Sequence, residues 1–535
     1  MNSDPNSPTS AEPASAAISF GARLRQFASD RGGLPAVTVV DGRTAPGLFP
    51  AQATWRELDG LVDRAAHVFA GQGIGQGSVV GIGLRNGLAH VVSVLGAWRV
   101  GATVITFDAA QPAERSGDVL IRGGATFAIV EDGRSVSGVR FEDRLWFERA
   151  CLAASAAPVP DRVSRPGKII QSGGSTGVPK LMADDMPWQR VPGRAWGNVA
   201  PALGFAPDQT QLVGAAMSHN AALTWAQIGL FEGHHLEVLE QFDAERAVRA
   251  IETFQVDFLV AVPTMMVRMA DLPDIATRDL SSIRSFYHTG APCAAWLKRR
   301  WIELLGPDRV FEMYGSGENV GQTIVSGRDW LSHLGTVGRP FETDARILDA
   351  DGHSVPTGEV GELFMRRWAT EGAVRYLDPA AKMRVDADGF TSIGDMARLD
   401  DEGFVYLAGR RDDVINTGGI KVHPEKIEAV LLAHPAIRDV VVFGMADREW
   451  GEKVHAVVEP VDPAAPPDLA ALRLHCTGLL TAAELPKSLT ILLPLPRDGF
   501  GKVMRRAVRA RIEAEWRSAI IWDDHHETLV ATNIV

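Results

Sequence analysis

Strand-like and helix-like runs alternate up to about residue 400, and that alternation narrows the possible folds more than any other feature of the chain. Thr54-Trp55-Arg56-Glu57 has capping-box spacing, with a hydroxyl at the first position and a carboxylate three residues later. Leu58, Leu61, Val62, Ala65 and Phe69 then fall on one helical face until Gly71 and Gly73 end the pattern. A strand-like run at 79–84 follows, and a second helical pattern through Leu88, Val91, Val92 and Leu95 reaches Gly101. Helices between successive strands let those strands lie parallel, so the pattern predicts an α/β fold with mostly parallel sheets.

Three strand-like runs end in small, polar, glycine-bearing loops. Residues 168–171 lead into 172-SGGSTGVPK-180, 285–288 into 289-TGAP-292, and 309–313 into 314-YGSGEN-319. In open parallel sheets, ligands bind outside the carboxyl ends of strands, so the three loops are expected to line one crevice. The texture changes near Arg410. Pro424, Ile427, Val430 and Leu431 start a helix, 440–443 and 453–459 read as strands, and a proline-rich stretch at 460–467 precedes another helix. This predicts a small α+β domain after a large multi-sheet one.

Composition serves mainly to exclude. The 535 residues carry 54 Lys+Arg against 66 Asp+Glu, a net charge of −12, which argues against a nucleic-acid-coating protein. The three cysteines, Cys151, Cys293 and Cys476, are far apart, so neither a disulfide framework nor a cysteine zinc site is expected, and a reducing, cytoplasmic setting is. The longest apolar run, 258–267, contains a proline and is too short for a membrane span. Residues 1–17, rich in Ser, Pro and Ala, read as a disordered arm, and 523-DDHHE-527 as a solvated tail rather than a metal cluster.

The 172–180 loop offers backbone N–H groups, the hydroxyls of Ser172, Ser175 and Thr176, and the cation of Lys180, a set suited to a polyphosphate. It lacks the Gly-Lys-Ser/Thr ending of a Walker A loop. A rival reading takes 173-GGSTG-177 as a hydrolase nucleophile elbow with Ser175 as nucleophile; an elbow turns straight into a helix, which Val178-Pro179-Lys180 disfavours. A second cluster, 409-GRRDDVINTGGIKVHPEKIE-428, joins a guanidinium, two acids and a Gly-Gly turn at the domain junction, and 496-PRDGFGKVMRR-506 places Lys502 on a glycine-flanked loop.

Taken together and in order, 172-SGGSTGVPK-180, 314-YGSGE-318, 394-GD-395, 409-GRRDDVI-415 and 501-GK-502 resemble the acyl-adenylating superfamily of acyl-CoA synthetases, nonribosomal peptide synthetase adenylation domains and firefly luciferase. The resemblance covers residues 50 to 510, and acyl-CoA ligases are the members most similar. It implies a large adenylate-forming domain at 18–409, a hinge at 410–412 centred on Asp412, and a mobile cap at 413–535. It implies ATP and Mg²⁺, a carboxylic acid and coenzyme A as reactants, with an acyl carrier protein left open as the thiol acceptor and a dimer left open as the assembly.

By the same resemblance, Ser172, Gly173, Gly174, Ser175, Thr176, Gly177 and Lys180 hold phosphates. Gly290, Ala291 and Pro292 with Glu312, Met313, Tyr314, Gly315 and Ser316 border the adenine side, Asp395 and Arg410 bind ribose, and Glu318 binds Mg²⁺. Lys502 is implied as the catalytic cation of adenylation, together with Glu318. Gly418 and Gly419 border the coenzyme A tunnel, and His219 and Trp225 the acid pocket. Three positions depart from the family pattern: Gly317 replaces a Thr, Ile393 a Thr, and Phe500 a Ser or Thr. The stretch 217–233 lacks the Asp that binds an amino-acid ammonium and is rich in small and apolar residues, so an acid with an apolar body and no charged amine is expected. The His219-Asn220 pair and 325-VSGRDWLSHLGTVGRP-340 resemble ligases of fatty and polycyclic carboxylates, which implies a fatty, aryl or polycyclic steroid or terpenoid acid. A carrier-protein-loading enzyme and a ligand-binding pseudoenzyme of the same fold are the alternatives.

Overall fold

In the computed structural model, which describes residues 16–40, 47–133, 137–171, 180–368, 374–497 and 502–519, the helix Trp55–Gly71 begins where the capping box predicts. The Thr54 hydroxyl accepts from the Glu57 N–H, and the Glu57 carboxylate accepts from the Thr54 N–H at 2.8 Å, satisfying two otherwise orphaned donors. Its apolar face packs on the helix Leu88–Arg99, all twelve residues of which are buried. A helix apolar all round must be enclosed, and this one carries Arg99, fully buried and paired with Asp59 at 2.6 Å and Asp63 at 2.9 Å.

Two sheets form the platform. The seven-stranded sheet runs in the order Val374–Tyr376, Leu181–Asp184, Lys168–Gln171, Thr103–Thr106, Val79–Gly83, Phe127–Val130, Arg140–Asp143; its last five strands are parallel. The nine-stranded sheet contains a parallel run of Pro35–Val39, His235–Val238, Thr210–Val213, Phe258–Ala261, Ser285–His288 and Val310–Gly315. The expected parallel architecture is therefore present. The three loop-bearing strands are divided between the two sheets, Lys168–Gln171 in one and the other two in the second, so the crevice forms between sheets.

Beyond Gln322 the alternation stops. Thr343–Leu348, Gly361–Arg367, Arg384–Val385, Thr391–Ser392, Asp395–Leu399 and Val405–Arg410 make a six-stranded sheet whose pairings are all antiparallel. No long helix separates these strands; tight turns such as 386–390 and 400–404 do, and antiparallel neighbours need nothing longer.

The chain leaves that sheet at Arg410, makes the short 3₁₀ turn Arg411–Asp413, and enters a five-stranded sheet at Ile415–Thr417. That sheet is built on the long hairpin Ile437–Asp447 and Gly451–Pro460, with the helices Pro424–Leu431, Leu469–Cys476 and Arg505–Ala519 against it. Among the described residues no helix is long and apolar enough to cross a membrane. The apolar run at 258–267 divides into the strand Phe258–Ala261 and the start of the helix Pro263–Ala270.

Candidate active site

Lys180 stands at the start of the strand Leu181–Asp184, which pairs antiparallel with Lys168–Gln171. A strand rather than a helix thus follows the phosphate-type loop, and the elbow topology required of a hydrolase is not met. Ser172, Gly173, Gly174, Ser175, Thr176 and Gly177 lie outside the described residues, as do Phe500 and residues 523–527. The Lys180 ammonium lies 5.1 Å from the ring centroid of Tyr376, on the edge strand beside it. The Tyr376 hydroxyl donates to Glu318 at 2.7 Å. Sequence reasoning missed Tyr376; the available signal was that the chain has only four tyrosines.

The strand Val310–Gly315 carries the next group. The Tyr314 hydroxyl donates to Asp395 at 2.5 Å, and Arg410 Nε lies 3.1 Å from the other oxygen of the same carboxylate. Burial and the Asp395 charge push the Tyr314 phenol well above its ordinary range, so it remains a donor. Burial opposes the Arg410 charge, but Asp395, Tyr314 and Glu318 together raise it. Lys180, Tyr376, Glu318, Tyr314, Asp395 and Arg410 are thereby brought together from three sheets.

Beside Tyr314, the strand Ser285–His288 pairs parallel with Val310–Gly315, and Thr289 Oγ1 donates to the Met313 carbonyl at 2.9 Å, tying the 289–292 turn to that strand. Gly290, with φ +88°, makes that turn without a Cβ penalty; Ala291 is partly exposed and Pro292 exposed. The Glu312 side chain points away from the crevice, where it is 7% exposed and ion-paired with the buried Lys298. Ser316 Oγ is buried without a hydrogen-bond partner among the described residues.

Gly317 sits where the two facing sheets come close, against the ends of two flexible side chains. A Cβ there would lie 2.8 Å from Met182 Cε and 3.1 Å from Ile170 Cδ1, both on the facing sheet, so a threonine would displace that contact. Ile393 packs with the apolar cluster of the six-stranded sheet, around Ile347, Leu363 and Met365.

On the small unit, Gly418 and Gly419, with φ +59° and +82°, form the two-residue turn between Ile415–Thr417 and Ile420–Val422, the left-handed pair that such a hairpin needs. Gly418 abuts Trp450, whereas a side chain at Gly419 would meet open space. Asp412 is exposed; its neighbour Asp413 faces Arg505 at 3.8 Å, and Arg505 also pairs with Glu425 at 3.2 Å and Glu428 at 2.8 Å. Lys502 is exposed, just before the helix Arg505–Ala519.

His219 occupies the N-cap position of the helix Asn220–Glu232. Trp225 is 1% exposed and packs among Trp196, Phe205, Phe258 and Tyr287, with ring centroids 4.9–5.5 Å apart. The partly exposed face of that helix is instead Asn220, Ala221 and Thr224.

Two family models match this chain: AMP-binding enzyme over residues 33–370 and AMP-binding enzyme C-terminal domain over 426–502. The chain belongs to the AMP-binding enzymes, the acyl-adenylating superfamily. It is 33% identical over 303 residues to the medium/long-chain fatty acid–CoA ligase FadD8 of Mycobacterium tuberculosis, a match covering 54% of this chain and 52% of that one. The match thus spans about half of that relative's length. It is 31% identical over 355 residues to feruloyl-CoA synthase of an Amycolatopsis species, covering 64% and 69%. Its fold is similar to o-succinylbenzoate–CoA synthetase of Bacillus subtilis in complex with its acyl-adenylate intermediate, with a TM-score of 0.78, 23% identity, and 91% and 97% of the two chains covered.

Proposed function

We propose that the protein is an ATP-dependent acyl-CoA ligase. It joins a hydrophobic carboxylic acid, of fatty, aryl or polycyclic type, to AMP with release of pyrophosphate, and then transfers the acyl group to the thiol of coenzyme A with release of AMP. The observation that carries this reading is the convergence of Lys180, Tyr376, Glu318, Tyr314, Asp395 and Arg410 from three sheets, beside the loops that follow the strands Lys168–Gln171 and Val310–Gly315.

The first step sets two anions against each other, so the chain must hold them in line and offset the charge developing at the α-phosphorus. Lys180 and the 172–177 loop take the β- and γ-phosphates. The 290–292 turn, Met313, Tyr314 and Gly315 enclose adenine, and Asp395 with Arg410 holds the ribose hydroxyls. Glu318 fits Mg²⁺: Tyr376 occupies one carboxylate oxygen and leaves the other without a hydrogen bond among the described residues, beside the orphaned Ser316 hydroxyl. When bound, the ion supplies charge neutralisation on the phosphates. Lys502 is the cation for the first step, and rotation about Asp412 replaces its loop with the Gly418-Gly419 hairpin for the second.

Incubation with ATP, Mg²⁺, coenzyme A and a panel of acids, with pyrophosphate and thioester measured separately, tests the assignment. Pyrophosphate without thioester favours loading of a carrier protein, and nucleotide binding without pyrophosphate favours a pseudoenzyme. Lys502→Ala is expected to slow adenylation by ~100-fold or more while sparing thioester formation from supplied acyl-adenylate. Equal loss of both steps removes Lys502 from its role.

A further inference from the structure

Lys168 opens the strand Lys168–Gln171 and is 9% exposed, yet no carboxylate lies within ion-pair distance of it among the described residues. Its ammonium donates to Asn220 Oδ1 and Thr224 Oγ1 and lies 5.5 Å from the ring centroid of the buried Trp188. A lysine head has three donors, and these neutral oxygens take two. The half-buried Arg190 stacks 4.4 Å from the same Trp188 ring and donates to the Gln189 carbonyl, with no carboxylate in ion-pair distance among the described residues. The charge of Asp184 acts on both cations, and its carboxylate accepts from the Met186 N–H at 3.1 Å. Buried cations normally carry a carboxylate partner, which Lys168 lacks within ion-pair distance among the described residues.

The two oxygens that hold Lys168 belong to Asn220 and Thr224, on the face that the helix following His219 leaves partly open. We propose that this face lines the acid pocket and that Lys168 is its specificity-determining residue, the third donor of the ammonium reading a second oxygen, carboxylate or hydroxyl, on an otherwise apolar acid. The inference rests on the acyl-CoA ligase reading and narrows its substrate class to oxygen-bearing hydrophobic acids. Burial foremost, then the Arg190 charge, lowers the Lys168 amine to about 7 against the opposing effect of Asp184, so an arriving anion favours its charged form.

The test is pyrophosphate release from the full chain with matched acids: a straight-chain acid, its ω-hydroxy acid and its ω-dicarboxylic acid of equal length, and cinnamic acid against para-hydroxycinnamic and para-carboxycinnamic acids. The expected result is a preference in kcat/KM of ~100-fold or more for an oxygen-bearing member over its plain partner, because the plain acid leaves a buried donor unpaired. The hydroxy and carboxy arms tell which oxygen is read. In Lys168→Met that ratio is expected to fall to within about threefold, whatever each rate becomes. A wild-type ratio near one in every set overturns the inference, and so does a Lys168→Met variant that lowers both members alike and keeps the ratio. Should Lys168→Met not fold, Lys168→Gln and the wild-type ratios decide. Absence of pyrophosphate with every acid overturns the ligase reading itself, and this inference with it.

Discussion

Two buried lysines are treated oppositely. Lys298, 2% exposed on the helix Ala295–Leu305, is neutralised by Glu312; Lys168, on the strand Lys168–Gln171, has only an amide and a hydroxyl. Next to Lys298 the fully buried His288 is kept neutral, first by burial and then by the Lys298 charge. Lys298–Glu312 and Arg410–Asp395 each pair opposite charges, on the side to which the proposed function assigns the nucleotide. Paired charges of this kind preorganise a site for a single ligand. Lys168, which the inference above assigns to the acid, is a cation unpaired by any carboxylate among the described residues.

Breaking the Lys298–Glu312 pair should have the largest effect. Lys298→Met leaves Glu312 buried without its cation and is expected to cost about 3–5 kcal/mol in urea unfolding, whereas the double variant Lys298→Met/Glu312→Leu recovers most of it. A loss below 1 kcal/mol in the single variant would mean that water already reaches Glu312.

The unpaired lysine should behave in the reverse sense. Its amine is lowered to about 7 in the fold from 10.5, so between those values the unfolded chain holds a proton that the folded chain has released. Stability contributed by this group therefore rises with pH from about 7 to 10.5, and below 7 the penalty is complete, on the order of a few kcal/mol. Lys168→Met should be at least as stable as the wild type at pH 6, with the difference shrinking toward pH 10. A variant less stable at pH 6 would make Lys168 a structural strut and erase the contrast between the two lysines.

The smallest effect belongs to a single hydrogen bond. Tyr376→Phe removes the donor to Glu318 and is expected to raise the Mg²⁺ and ATP concentrations needed for half-maximal pyrophosphate release by about tenfold, in line with a bond to a charged group. No change would place Glu318 outside the metal site.

Much of the fold was legible in the sequence because its causes are local. The Thr54–Glu57 capping box, the 3.6-residue periodicity of the first helices and the glycine pair at 418–419 each act within one turn, and each appears where expected. What escaped is non-local. Tyr376 meets Lys180 and Glu318 only because an edge strand nearly two hundred residues downstream pairs with Leu181–Asp184. At Gly317 the ends of Met182 and Ile170 on the facing sheet lie where a threonine side chain would begin. Nothing near Lys168 in sequence announces that Asn220 and Thr224, more than fifty residues on, hold its ammonium. Trp225 is expected in the acid pocket as one of the apolar residues of 217–233, and the same apolar character places it in the aromatic core instead.

Transfer of the acid's own oxygen tests the central claim most directly. With acid carrying ¹⁸O in its carboxyl group, together with ATP, Mg²⁺ and coenzyme A, an acyl-adenylate route places one labelled oxygen in AMP and leaves pyrophosphate unlabelled. Unlabelled AMP, or release of ADP and phosphate carrying the label, would contradict it.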